Sequence, residues 1–198
     1  MKRPFFYLIL FLYFTAIGVI YSYPLVRHFS TGMTYLSSPP QGEELVTLAH
    51  GDYLQLYYYL WLFKDALSGH SPLFKDPYQL NVPQYGVQGH FNNQFFPLSL
   101  FFAVIAFFIG DVRGYNLLLL LSFPLCGIGF FLLMKTCFKS FWPAFLGATV
   151  FALIPYRVAH LLGGHPGGFT HFYLQWMAYF YVLGIIHKNW IWGLISGL

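Results

Sequence analysis

Charged residues are scarce in this 198-residue chain: Asp, Glu, Lys and Arg make up 8% of it, whereas about 25% is usual in a soluble domain. Six residues are acidic and two are cysteine. In contrast, 58% of the residues are hydrophobic and 23% are aromatic, more apolar surface than a water-soluble fold of this size could hide. The shortage of charge excludes an ordinary soluble domain and indicates a protein that lies in a bilayer.

The few cysteines and basic residues exclude further classes. Cys126 and Cys137 are 11 residues apart on one predicted helix, about 16 Å by helical rise, which is too far for a disulfide. The ten Lys and Arg residues are scattered singly or in pairs, whereas nucleic-acid-binding proteins cluster them on one face. The formal charge of +4 therefore does not indicate a nucleic-acid partner, and membrane topology explains it better.

The sequence contains several long apolar runs. Runs of about 20 residues cross the ~30 Å hydrocarbon core as helices, in which every backbone amide finds a partner within its own segment. The sequence predicts an all-α polytopic membrane protein with about four complete transmembrane helices and the start of a fifth. The predicted spans are residues 5–23, 115–134, 142–161, 169–186 and, incomplete, 190–198. Because the last run is too short to cross, we expect residues 1–198 to be the N-terminal part of a longer transmembrane domain, or a truncated product.

The first span begins like a signal peptide, with Lys2 and Arg3 before an apolar run. The run is long and aromatic, however, and residues 21–24, Tyr-Ser-Tyr-Pro, lack the small-x-small pattern of a cleavage site. The sequence predicts an uncleaved anchor.

Orientation follows from the loops, because cytoplasmic loops are enriched in Lys and Arg. Residues 97–109 form only about 20 Å of helix, too short to cross, so the threading that leaves them in the outer leaflet is preferred. It makes a first extracytoplasmic loop of residues 24–114, with interfacial helices at 53–67 and 97–109. The predicted protein is a multi-pass protein of the cell inner (cytoplasmic) membrane with a cytoplasmic N-terminus. The inner residues are Lys2, Arg3, Lys135, Lys139 and Lys188, and the outer acids are Glu43, Glu44, Asp52, Asp65, Asp76 and Asp111.

Asp52 is the first candidate for chemistry, because it follows an irregular stretch and directly precedes the aromatic helix at 53–67. A carboxylate there can serve as a general base toward an acceptor hydroxyl or as a ligand of a hard cation, for which Mg²⁺ or Mn²⁺ is the candidate cofactor. The alternative is that Asp52 only caps the helix.

Arg157 is the second candidate, at the predicted outer end of the third span. Its guanidinium could bind a phosphate bidentately, or it could anchor the helix end among lipid headgroups. His160, His165 and His171 follow with glycines between them, in spacings that fit no standard zinc motif. A polar loop in which glycine lets the backbone approach a ligand is the favoured interpretation.

Other polar residues of the outer loop are weaker candidates. His50 and His90, the latter close to Asn92 and Asn93, could hydrogen-bond a substrate sugar, although an ordinary satisfied loop is the simpler interpretation. Asp111 and Arg113, flanked by glycines, predict a turn with a local ion pair.

Several segments together resemble a known family. They are Gly51-Asp52-Tyr53-Leu54-Gln55, then residues 80–87 (LNVPQYGV), Tyr115-Asn116 at the head of a Leu-rich span, and residues 155–160 (PYRVAH). This pattern resembles the N-terminal region of polytopic membrane glycosyltransferases of the GT-C class, over roughly residues 5–188. The resemblance implies transfer of a sugar from a polyprenyl-phosphate carrier to an extracytoplasmic acceptor, a cell-envelope glycan or lipid. It further implies that Asp52 is the base or metal ligand of the first outer loop and that Arg157 binds the donor phosphate.

Two other functions remain open. A transporter or flippase for lipid-linked saccharide would place ionisable groups and broken helices near the membrane midplane. The predicted spans contain no such group deep inside, which counts against it. The third alternative is a truncated, non-catalytic membrane subunit.

Overall fold

The computed structural model describes residues 3–33, 53–73, 77–78 and 96–197, and all regular structure in those ranges is helical. The all-α prediction is therefore confirmed for the described residues. The helices are α1 (Arg3–Tyr21), α2 (Tyr53–Leu67), α3 (Phe96–Ile109), α4 (Asp111–Phe138), α5 (Phe141–Ala152), α6 (Pro155–Leu162), α7 (Pro166–His187) and α8 (Trp190–Gly197), with a 3-10 turn at Leu25–His28.

Among these helices, α1 and α4 are long and apolar enough to cross a membrane. A third span is present if α5 and α6, which are bent by 42° at the break between them, count as one. Helix α7 has sufficient length, with 22 residues, but it is less apolar because it includes polar residues such as His171 and Gln175. The described helices thus provide two or three spans, and the predicted four complete spans are not confirmed.

The bend between α5 and α6 divides the predicted span 142–161. Pro155 opens α6, and Ile154 before it has an extended backbone (φ −51°, ψ 124°). A residue that precedes proline is pushed away from the helical region, so α5 stops and a new helix starts in another direction. Helix α4, in contrast, is one helix that continues through Pro124.

The two shorter helices that lie between α1 and α4 in sequence, α2 and α3, coincide with the predicted ones. Helix α2 covers residues 53–67 as predicted, and α3 begins one residue earlier than predicted. At 14 residues, α3 is about 21 Å long and shorter than the hydrocarbon core. Their location at a membrane surface stays a prediction.

Helices α1 and α4 interlock through two glycine–phenylalanine contacts. A Cβ atom on Gly127 of α4 would lie 2.5 Å from the ring of Phe14, and one on Gly18 of α1 would lie 2.9 Å from the ring of Phe123. Both phenylalanines are fully buried. Each ring fills the space above a glycine of the other helix, so α1 is part of the core. Removal of α1 would leave a large cavity beside α4.

One end of the bundle collects the start of α1, the end of α4 and the start of α5. The ring of Phe6 lies 5.7 Å from that of Phe131 and 5.9 Å from that of Phe141, measured between centroids. Lys135 and Lys139 lie at this end of α4. We call it the lysine end.

Helix α7 reaches the lysine end as well, because it runs in the same direction as α4. Near their starts the ring of Phe169 lies 5.2 Å from that of Tyr115, and farther along Trp176 Nε1 donates to the carbonyl oxygen of Leu125 at 3.0 Å. Lys188, which follows α7, therefore lies at the same end as Lys135 and Lys139.

The opposite end of the bundle, which we call the rim, contains the start of α4. Buried Asn116 fixes the segment after α1 there, because its Nδ2 donates to the carbonyl oxygens of Phe29 (2.9 Å) and Gly32 (2.7 Å). Asp111, the first residue of α4, is also at the rim. The predicted threading puts Lys135, Lys139 and Lys188 on one side of the membrane and Asp111 on the other. In the fold these lysines and Asp111 likewise lie at opposite ends of the bundle.

Candidate functional site

Three of the predicted site residues, Asp52, His50 and His90, lie outside the described residues. Their roles stay predictions. Helix α2 begins at Tyr53, the residue that follows Asp52 in sequence.

A cavity of about 400 Å³ opens at the rim between α2, the start of α4 and the segment after α1. Its polar lining consists of Ser30, Tyr57, Asp111 and Arg113. Two hydroxyl groups, a carboxylate and a guanidinium can together bind a polar ligand that carries hydroxyl and anionic groups. The sequence analysis missed this cavity, which we call the rim cavity, because its walls are far apart in sequence.

Asp111 forms an ion pair with Lys64 of α2 and not with Arg113, so the predicted local pair is wrong. Gly110 has a positive φ of 89°, which allows α3 to end and α4 to begin within one residue. Asp111 is then already helical, and its side chain reaches across to α2. Arg113 is exposed, and no ion pair of its side chain is present among the described residues.

The Lys64–Asp111 pair also influences the rim cavity. Burial raises the pKa of Tyr57, and the nearby negative charge of Asp111 raises it further. The Tyr57 hydroxyl is therefore held in its neutral form, as a hydrogen-bond donor and acceptor, throughout the physiological pH range.

The far end of α2 has a second carboxylate, Asp65. Tyr78 donates its hydroxyl to Asp65 Oδ2 at 2.9 Å, and His70 Nδ1 lies 3.3 Å from Oδ1. Burial alone would raise the pKa of Asp65, but the nearby Ser71 and His70 and the hydrogen bond from Tyr78 outweigh it and lower that pKa. Asp65 thus holds the chain after α2 against the helix.

Arg157 is 1% exposed and lies inside the bundle, not at the surface where the sequence predicted it. Its Nη1 donates to the Ala152 carbonyl oxygen at 2.8 Å, and its Nη2 donates to Ser122 Oγ at 2.9 Å. The guanidinium carbon is 4.7 Å from the centroid of the Phe123 ring. The bend before α6 causes this, because it turns the first turn of α6 toward α4. Neither lipid headgroups nor a ligand in open solvent can reach a side chain so enclosed.

Ser122 and Phe123 are the twelfth and thirteenth residues of α4, which puts Arg157 about 17 Å from the start of that 28-residue helix. Our expectation that no ionisable group lies deep within the spans is therefore wrong. Within the described part of the chain, no carboxylate lies at ion-pair distance from Arg157. Its electrostatic neighbours are Cys126 of α4 and His171 of α7.

The predicted histidine group is divided in the structure. The rings of His160 and His165 lie 4.7 Å apart, and Tyr156 stacks on His160 at 4.2 Å. His171 instead packs against Phe151, with 5.5 Å between ring centroids. The described residues contain no group of three or more His, Cys, Asp or Glu side chains that could hold a metal ion.

Gly168 serves helix packing and not the approach of a ligand. A Cβ atom at Gly168 would lie 2.3 Å from the backbone nitrogen of Leu161, so the glycine lets α6 and α7 touch. The neighbouring Gly167 is exposed and has no atom within 4 Å of such a Cβ.

Gln175 is a further interior residue that the sequence analysis missed. It is 2% exposed, and neither its Oε1 nor its Nε2 has a hydrogen-bond partner among the described residues. The signal for it was present, since it is a lone amide in the apolar run 169–186.

Comparisons of this chain with family models, with curated proteins and with solved structures found no match. The resemblance to GT-C glycosyltransferases rests on the residues quoted for it.

Proposed function

We propose that this chain is part of a membrane glycosyltransferase that transfers a sugar from a polyprenyl-phosphate-linked donor to an extracytoplasmic acceptor. The observation that carries the proposal is the rim cavity, which combines a carboxylate, a guanidinium and two hydroxyl groups beside α2. Asp52, the proposed base, directly precedes α2 in sequence. A donor with an anionic phosphate and an acceptor with hydroxyl groups are the ligands that such a lining suits.

The proposed reaction is a single displacement. The acceptor hydroxyl oxygen bonds to the anomeric carbon of the sugar while the bond from that carbon to the phosphate oxygen breaks. The acceptor proton passes to the Asp52 carboxylate, and the polyprenyl phosphate leaves with the bonding electrons. A guanidinium beside the departing phosphate stabilises its charge, which is the largest contribution that a protein can make to this step.

Two arginines are candidates for that contact. Arg113 lines the rim cavity and is exposed, so a donor phosphate can reach it from outside. Arg157, the residue that the resemblance implies, is enclosed at the level of Ser122. Arg157 can bind the phosphate only if the phosphate enters the bundle. We therefore assign the first contact to Arg113.

A divalent cation, Mg²⁺ or Mn²⁺, belongs to the proposal only through Asp52. No three metal-binding side chains cluster in the part of the chain that the structure describes. The carboxylates Asp65 and Asp111 have ion-pair partners of their own. We therefore assign no step to a metal.

We further propose that the rim faces the extracytoplasmic side of the inner membrane and that the N-terminus is cytoplasmic. The support is that Lys135, Lys139 and Lys188 lie at the end opposite to Asp111, whereas the basic residues Lys64 and Arg113 lie at the rim beside that carboxylate. Cytoplasmic loops favour lysine in this way. Membrane lipids would then cover the apolar side chains that are exposed on α1, α3, α5 and α7.

The test uses membranes that contain the full-length protein and a panel of labelled polyprenyl-phosphate hexoses. We expect Asp52→Asn to abolish the formation of glycosylated product while expression and membrane insertion stay normal. Arg113→Gln should weaken donor binding more than acceptor binding, and Lys139→Gln at the lysine end is the matched control. Full transfer by the Asp52→Asn protein would refute the role of Asp52 and return it to helix capping.

A transporter or flippase of lipid-linked saccharide is the second candidate, and one observation favours it. Arg157 lies beside the middle of α4 at the break between α5 and α6, and transporters place ionisable groups and broken helices at this depth. In reconstituted vesicles, movement of a labelled lipid-linked saccharide to the other leaflet without a new glycosidic bond would favour transport over transfer.

A further inference from the structure

A cavity of about 180 Å³ lies at the lysine end, where α7 is followed by α8. Its lining includes Tyr181 and Ile185 of α7, Lys188 between the helices, and Trp190 and Gly193 of α8. The lining is almost entirely apolar, although a lysine belongs to it. We call it the α7–α8 cavity. An apolar cavity with a cation at its edge suits a ligand that has both an apolar part and an anionic part.

Contacts between α7 and α8 hold the walls of this cavity in place. The rings of Phe180 and Trp192 stack, with 5.8 Å between their centroids and 8° between their planes. The backbone nitrogen of Asn189 donates to the carbonyl oxygen of Gly184 at 3.2 Å, and Asn189 Oδ1 accepts from the backbone nitrogen of Ile191 at 3.0 Å. The protein therefore forms the cavity by its own contacts, before a ligand binds.

Lys188 is the charged residue of this lining, and its side chain is exposed. The two carboxylates among the described residues, Asp65 and Asp111, have ion-pair partners elsewhere, so Lys188 has no such partner in that part of the chain. Its ammonium group is carried on a flexible four-carbon stem and can follow an anionic group at the mouth of the cavity. A negatively charged ligand would thus meet a positive charge that these residues do not neutralise.

Two aromatic residues indicate that the cavity lies where the membrane meets water. Tyr181 and Trp190 are 58% and 73% exposed, and tyrosine and tryptophan favour the boundary between the hydrocarbon core and the headgroups. Pockets between helices that contain a basic residue bind anionic lipid headgroups at this depth. An inorganic anion would find few polar partners in so apolar a lining, whereas an acyl chain matches it.

We propose that the α7–α8 cavity binds one anionic phospholipid, with part of an acyl chain against the apolar wall and the phosphate beside the Lys188 ammonium. About 180 Å³ is too small for a whole phospholipid, so the headgroup lies outside, within reach of that side chain. The bound lipid connects α7 to α8. This site is separate from the rim cavity, and it depends neither on glycosyl transfer nor on which side of the membrane the lysine end faces.

The test is native mass spectrometry of the purified full chain in a non-ionic detergent, titrated with phosphatidylglycerol or with phosphatidylcholine. The two lipids have the same acyl chains and differ in the net charge of the headgroup. We expect the first phosphatidylglycerol to bind about fivefold more tightly than phosphatidylcholine, the increment expected from one lysine near a membrane surface. An excess of inorganic phosphate should not displace it, and displacement would overturn the choice of a lipid.

Two variants, each with a matched control, test the cavity itself. Lys188→Gln should remove the preference for phosphatidylglycerol. Lys139→Gln should retain it, because Lys139 also follows a helix at the lysine end with a positive φ but does not line the cavity. Gly193→Leu should weaken the binding of both lipids, since a Cβ there meets open space and the side chain can occupy the cavity. Gly197→Leu, one turn farther along α8, should bind both lipids as the wild type does.

Equal binding of the two lipids by the wild type would overturn the proposal, and it is the result expected if another part of the protein covers the cavity. An unchanged preference in Lys188→Gln would also overturn it. So would an equal loss in Lys139→Gln, because the lipid would then respond to the overall charge of the lysine end. Full binding by Gly193→Leu would show that the lipid binds outside the cavity.

Discussion

Replacing Gly168 with alanine should force α6 away from α7. The new Cβ would lie 2.3 Å from the backbone nitrogen and 2.4 Å from the Cα of Leu161, and ordinary contact begins near 3.4 Å. Helix α6 would therefore move by about 1.1 Å, since a backbone atom, unlike a side chain, cannot rotate away. Overpacking of this kind costs about 1–3 kcal/mol, which for a chain of this length lowers the Tm by about 2–12 °C.

The neighbouring Gly167 provides the matched control, because the same substitution there meets open space and neither glycine has a positive φ. Gly167→Ala should leave the Tm unchanged within about 2 °C or raise it slightly. The assay is thermal unfolding in detergent, followed by intrinsic tryptophan fluorescence. Equal Tm values for the two variants would refute the close contact between α6 and α7.

Three further substitutions test other contacts. Gly127→Ala should destabilise the fold by about 1–3 kcal/mol, because its Cβ would lie 2.5 Å from the ring of Phe14. Adding Phe14→Leu should recover part of the loss. Strictly additive effects in the double-mutant cycle would contradict the contact between α1 and α4. The pKa of Asp65 is lowered in the folded state, so its carboxylate stabilises the fold at pH values above the ordinary carboxyl pKa near 4, and this contribution is lost as pH falls through the lower folded-state value. Asp65→Asn should therefore weaken the fall of Tm at acid pH. Parallel curves of Tm against pH for the wild type and the variant would argue against this role of Asp65. Lys64→Ala should cost about 1–3 kcal/mol, because the pair with Asp111 is only 20% and 25% exposed and the carboxylate would lose its partner in a largely enclosed position. Chemical denaturation that showed no loss would argue against the pair.

The sequence was sufficient to predict the helices whose limits are local. The aromatic run at 53–67 ends before Ser68 and Gly69, and α2 stops there. The run at 97–109 is bounded by Pro97 and Gly110, and α3 has nearly the same limits. In both cases the residues that end the helix are neighbours in sequence, so no knowledge of the tertiary fold was needed.

The third span could not be predicted in the same way. Residues 142–161 are apolar enough for one helix, and hydropathy does not register the 42° bend that Pro155 introduces. The direction of Arg157 depends on that bend. The bend turns its side chain to Ser122, 35 residues earlier in sequence.

Long-range pairing was the second failure at the candidate site. Asp111 was paired with Arg113 because they are neighbours, but its partner Lys64 is 47 residues away. The rim cavity escaped prediction for the same reason, since its lining comes from three separate segments. Single-sequence patterns identify the polar residues and not which of them the packing brings together.

The orientation of the bundle is the claim on which the proposed function depends, and paired cysteine labelling tests it most directly. Ser30 at the rim and Ser140 at the lysine end are both exposed, and each can be changed to cysteine in a chain in which Cys126 and Cys137 are replaced by alanine. We predict that a membrane-impermeant maleimide labels Ser30→Cys in right-side-out vesicles and labels Ser140→Cys only after permeabilisation. Labelling of Ser140→Cys, with protection of Ser30→Cys, before permeabilisation would contradict the account.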